Sequence, residues 1–139
     1  MRLVTVFMKN IIFLCFLLFL VCACREVAVD PVDSAKMVLA EALDSLHSHN
    51  YGKYVSSVDF GEDMSREQQK VMLYVLRQHQ ERQDTLKGCV SSCEIVDAKQ
   101  ESDSVITLYY EMKFADGVSE VNSQKMVRVG DVWKIRVRN

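Results

Sequence analysis

The hydrophobic period of this chain changes once, and that change restricts the folds open to it. Up to about His79, apolar residues recur every three to four positions; from Ser104 onward they alternate. The first spacing suits a helix at 3.6 residues per turn, the second a strand with a period of two. Ala35, Val38, Leu39, Ala42, Leu43 and Leu46 therefore predict a helix over Pro31–Ser48. Asp30 is placed to cap it, Pro31 suits its first position, and Asp33 falls in its positive first turn. His49-Asn50 ends it, and Asn50 opens a short second helix from Tyr51 to about Val58. Asp59-Phe60-Gly61-Glu62-Asp63 reads as a loop. Ser65-Arg66-Glu67-Gln68 matches a capping box, with Met64 as its hydrophobic staple. A long helix should follow, with Gln68, Met72, Val75, Leu76 and His79 along one side and Gly88 as its stop.

The clearest strand is Ser104–Phe114. Ile106, Leu108, Tyr110, Met112 and Phe114 share one face; Val105, Thr107, Tyr109, Glu111 and Lys113 share the other. Ala115-Asp116-Gly117 makes a hairpin turn into a strand over Val118–Val129. Gly130-Asp131 turns again into Val132–Arg138, which sends Trp133, Ile135 and Val137 one way and Lys134, Arg136 and Arg138 the other. Cys93–Gln100 is a fainter strand before these, turned by Glu101-Ser102-Asp103. The expectation is an α+β domain over 31–139: three N-terminal helices packed on a curved four-stranded antiparallel sheet.

The N-terminus carries a different signal. Arg2 and Lys9 precede an apolar run of eleven residues, Ile11–Val21. That length fits the apolar part of a secretory signal and falls short of the roughly 17–25 residues of a spanning helix. The run ends in Val21-Cys22-Ala23-Cys24, which resembles the bacterial lipobox. The resemblance implies a signal peptide over 1–23, cleavage after Ala23, and Cys24 as the acylated first residue of the mature protein. The Cys24 thiol is the nucleophile that accepts the lipid, and two or three acyl chains hold a protein stably where one does not. Residues 24–30 then form a short tether. The implied place is the bacterial cell envelope, at the outer rather than the inner membrane.

Arg2 and Lys9 are the only charged residues before Cys24, so of 17 basic and 19 acidic side chains the mature part keeps 15 and 19, net −4. A mildly acidic, mixed surface excludes a nucleic-acid binder, which needs a basic stripe. Two cysteines remain beside Cys24. Cys89 and Cys93 would lie about 13 Å apart in a straight strand, too far for a disulfide. A turn at Val90-Ser91-Ser92 would let them pair, so they stand as a candidate disulfide or as two free thiols.

The order of elements, with Asn50-Tyr51-Gly52-Lys53-Tyr54 after the first helix and Gly130-Asp131-Val132-Trp133-Lys134-Ile135 near the end, resembles small bacterial lipoproteins with a nuclear-transport-factor-2-like, or cystatin-like, domain of unknown function. The resemblance covers roughly residues 31–138. It implies a cone of helices and curved sheet that encloses a pocket in some members. Some relatives are enzymes of the ketosteroid-isomerase kind and many only bind, so fold alone does not name the activity.

Candidate residues follow. Tyr110, Met112, Trp133 and Ile135 share an inner face and would line such a pocket, or equally a core. An isomerase would need a carboxylate and acidic donors in one apolar pocket. Tyr109, Tyr110, Asp59 and Asp97 are of the right types, with no spacing that brings them together. His47 and His49, two apart on a helix, do not face each other as metal ligands would. His79 reads as a boundary residue. Lys134, Arg136 and Arg138 form a basic strand face. No catalytic, cofactor or metal residue is assigned. The expected role is non-catalytic binding of a small apolar ligand or an envelope protein. A closed-core interaction subunit, which could be a homodimer, is the alternative, and an isomerase-like enzyme comes third.

Overall fold

The computed structural model describes residues 27–61 and 64–137. Ala23 and Cys24, with the whole signal and lipobox, lie outside the described residues, as does Arg138. Helix α1 spans Pro31–His47, α2 Tyr51–Ser56 and α3 Arg66–Lys87. The strands are β1 (Val58–Asp59), β2 (Val90–Ser102), β3 (Val105–Phe114), β4 (Ser119–Val129) and β5 (Val132–Arg136).

The helix starts form as their sequences dictate. The Asp30 carboxylate accepts the Val32 amide at 2.9 Å, and Pro31 opens α1. Asn50 accepts the Lys53 amide and caps α2. Ser65 and Gln68 make both halves of the capping box on α3: the Gln68 amide donates to Ser65 Oγ, and the Ser65 amide donates to Gln68 Oε1. Each satisfies amides that a helix start leaves without partners.

The sheet differs from expectation in number and sense. It has five strands in the order β1-β5-β4-β3-β2, and β1 runs parallel to β5, so the sheet is mixed rather than four-stranded and antiparallel. Val58 pairs with Ile135 and Asp59 with Arg136, and the Ile135 amide donates to the Ser57 carbonyl at 2.7 Å. The segment Val58–Asp59 thus leaves α2 straight into the sheet rather than into a loop. A two-residue strand has no alternation to read; only its neighbour in space defines it. β2 is also longer than its expected span, beginning at Val90. Its ladder with β3 shifts register at three places, between Val90 and Ser92, Ile95 and Asp97, and Gln100 and Ser102. Such bulges bend a strand and add twist.

The core lies between α1 and the inner sheet face. Ala35, Leu39, Ala42 and Leu43 of α1 meet Val58, Ile106, Leu108, Met126, Trp133 and Ile135. No member of that cluster comes from α3. That helix instead turns Met72, Leu73 and Leu76 toward Tyr54, Val55, Val58, Phe60 and Val137, around a small cavity of about 60 Å³. Its buried stripe is rotated from the expected one. Met72 and Leu76 do face inward, with Gln69, Leu73 and the buried Gln80, but Gln68, Val75 and His79 are exposed.

The C-terminus of α3 is fixed to the β3–β4 hairpin. Lys87 pairs with Glu120 and lies over the Phe114 ring at 4.9 Å, while the Asp116 amide donates to the Lys87 carbonyl. Gly88 makes this junction possible. It has φ 77°, and a Cβ there would come within 2.8 Å of the Ala115 Cβ. Glycine alone meets both demands without strain.

Candidate functional site

A cleft runs between α1 and β2. Along one wall α1 presents Met37, Ala40 and Leu43, with Lys36 toward its start and Asp44 and His47 toward its end. The other wall is the run of six consecutive residues Val90–Ile95. The cleft holds about 520 Å³, is lined mostly by carbon, and is open to solvent. Met37 is 69 % exposed, unusual for a methionine on the helix that gives Ala35, Leu39, Ala42 and Leu43 to the core.

Helical spacing explains the α1 wall. Ala35, Leu39, Ala42 and Leu46 are spent on the core, and the neighbouring stripe of Lys36, Met37, Ala40, Asp44 and His47 flanks it. Strand alternation explains the other wall. Cys93 pairs with Met112 and Ile95 with Tyr110, both of which share the inner face with Leu108. Cys93 and Ile95 therefore turn toward α1, while Ser92 and Glu94 turn to the opposite face.

Two titrating groups of the cleft, Cys93 and His47, are shifted toward their neutral forms. Burial pushes the Cys93 thiol up, away from the thiolate form. Burial likewise lowers His47, opposed by the nearby Asp84 and Asp44 carboxylates and assisted by His49. Beneath them Tyr110 is pushed up to about 12, first by burial and then by Cys93 and Tyr54 beside it. A thiol held in its protonated form is not an activated nucleophile.

The four residues expected to line a pocket come together on the inner sheet face, in a packed interior. Trp133 and Ile135 belong to the core cluster with Leu39, Ala42 and Leu43, and Met112 is buried beside them. Tyr110 is partly buried against that cluster. Ile135 also borders a polar groove of about 450 Å³ with Tyr54, Thr107, Gln124 and Arg136.

The residue types of an isomerase are held apart. Tyr109 and Tyr110 take opposite faces of β3, and Asp59 and Asp97 lie on opposite edges of the sheet. Asp59 accepts from Arg136 Nη2 at 2.8 Å, which holds its carboxyl below the usual range; the Gly61 amide adds to this. Asp97 is exposed and accepts from the Ala98 amide. Arg136, part of the expected basic face, is thus engaged by Asp59.

His47 and His49 diverge. His47 borders the cleft, whereas His49, at φ 59°, sits 2.9 Å from Asp84 Oδ2 on α3. Among the described residues no group of three His, Cys, Asp or Glu side chains is placed to hold a metal. Cys89 and Cys93 are exposed free thiols, and the extended backbone from Val90 onward separates them.

The cleft was the feature that sequence reasoning missed. Val90–Ser92 carries no apolar alternation, so its strand character stayed hidden. The signal available was the second α1 stripe, Met37 and Ala40, beyond what the core needs.

No helix among the described residues is long and apolar enough to cross a membrane. No protein-family model matches the chain. No curated protein matches it by sequence. Among solved structures, a Campylobacter jejuni protein with the provisional name NTF2-like transpeptidase is similar at a TM-score of 0.63 and 15 % identity, over 76 % of this chain and 100 % of that one. At that identity the likeness is one of architecture: the chain has a nuclear-transport-factor-2-like α+β fold.

Proposed function

We propose that this chain is a lipid-anchored protein of the bacterial cell envelope whose domain binds a partner protein, without catalysis, in the cleft between α1 and β2. The observation that carries the reading is the cleft itself: carbon-lined, open along its length, with a sheet edge as one wall. A small apolar ligand needs a concave site that covers most of its surface. Trp133 and Ile135, two of the residues expected to line such a site, pack with Leu39, Ala42 and Leu43 in the core. The Cys93 thiol, shifted away from its thiolate form, favours binding over nucleophilic chemistry. Val21-Cys22-Ala23-Cys24 supports the anchor, with Cys24 acylated after cleavage behind Ala23.

Native mass spectrometry of the full chain, purified from its own membranes in mild detergent, tests this reading. The expected spectrum shows the acylated chain with an added protein-sized mass that disappears in Met37→Glu. A retained small molecule, or the same added mass in Met37→Glu, would contradict it.

A further inference from the structure

We infer that the partner enters the cleft as an extended segment that adds a sixth strand to the sheet, along the free edge of β2 at Ser92–Ile95. This rests on the cleft being the binding site, and it specifies the chemistry of the occupant.

Three observations lead there. First, among the described residues β2 ends the strand order and pairs with β3 alone, so its other side offers a row of backbone amides and carbonyls. Those groups demand partners, and a chain of matching two-residue repeat supplies them best. Secondly, the edge is open selectively. Free edges are commonly blunted by bulges and charges. Bulges interrupt β2 on both sides of Ser92–Ile95, and the next regular run, Asp97–Gln100, carries Asp97 and Lys99 exposed. Ser92–Ile95 keeps an unbroken register, and it is this run that α1 faces across the cleft. Thirdly, the cleft supplies what specificity requires beyond backbone pairing. Met37, Ala40 and Leu43 offer an apolar seat for alternate side chains. The intervening side chains of an added strand would stand on the opposite face beside Glu94, which favours lysine or arginine there. The occupant is therefore an extended peptide segment of alternating apolar and basic residues.

The test uses the processed, acylated protein in detergent micelles, carrying Cys89→Ser so that Cys93 is the one free thiol left to react. A displayed library of random nonapeptides is selected on it. The expected winners alternate apolar and basic residues and slow alkylation of Cys93 by N-ethylmaleimide. Methylating alternate backbone nitrogens of a winner should weaken it about tenfold, as loss of one or two backbone hydrogen bonds requires. Glu94→Lys should shift the selected peptides away from basic residues.

Winners that protect Cys93 and fail on Met37→Glu, yet tolerate N-methylation, would overturn strand addition and leave the cleft standing as the site. Absence of any peptide that protects Cys93 would overturn both. A concentration-dependent dimer that shields Cys93 without peptide would show that a second copy covers the edge, and would equally refute the inference.

Discussion

Asp59 and Arg136 join strand β1 to the final strand, 77 positions apart in sequence. The guanidinium holds the Asp59 carboxyl below its ordinary value of 3.8, so the pair contributes stability above that pH and loses it as pH falls through the lower, folded value. Arg136 is almost half exposed, which limits the contribution. Arg136→Gln should cost roughly 0.5–1 kcal/mol at neutral pH by urea unfolding, with the difference from wild type shrinking as the pH falls below the ordinary carboxylate value. His47 acts in the same direction in a higher window. Burial lowers its folded pKa below the ordinary 6.5, so the unfolded chain takes up a proton first as pH falls. Stability should therefore be complete above about 6.5 and decline toward pH 5, and His47→Gln should flatten that decline. Gly88 is a steric case. Gly88→Ala should lower stability by about 2 kcal/mol, since the added methyl meets Ala115 and the backbone sits at φ 77°. An unchanged unfolding midpoint would show that the hairpin yields easily.

The helices and strands were legible to different depths. Asp30, Asn50 and Ser65 announced three helix starts, because a cap is a local bond between residues two or three apart. Ile106, Leu108, Met112 and Phe114 announced β3, because alternation needs only one buried face. The face of α3 was not legible to the same degree. Met72, Leu73, Val75 and Leu76 are all apolar, and the sequence holds two overlapping stripes. What decides between them is the position of Tyr54, Val55 and Phe60, which no local pattern records. Val75 is 59 % exposed, so Val75→Ser should change stability by under about 0.5 kcal/mol, whereas Leu76→Ala should cost roughly 1–2 kcal/mol. A larger loss at Val75 than at Leu76 in parallel urea titrations would restore the stripe first read from the sequence. β1 was illegible for a related reason: two residues become a strand only because β5 lies beside them.

At the scale of the whole molecule, the order of helices followed by strands was enough to indicate an α+β domain, and the similarity to the Campylobacter jejuni structure agrees with that architecture. The expected site was harder. Tyr110, Met112, Trp133 and Ile135 do share one face, but a pocket and a core use the same residue types, and that Trp133 and Ile135 pack with Leu39, Ala42 and Leu43 depends on where α1 lies. The cleft depends on the meeting of α1 with β2, roughly fifty positions apart, and so had no local signature. The anchor belongs to this scale too, since it fixes where the domain works. Cys24→Ala should abolish incorporation of labelled fatty acid and leave uncleaved precursor; efficient cleavage behind Ala23 without lipid would remove the lipoprotein reading.

The most direct test of the account places a photo-crosslinking amino acid at Met37, in the cleft, and separately at Val121, an exposed strand position outside it. Irradiation of living cells should give one discrete protein adduct from position 37, lost when Ala40→Glu is added, and none from position 121. Adducts from position 121 with none from position 37, or adducts from position 37 that persist with Ala40→Glu, would contradict the cleft as the binding site.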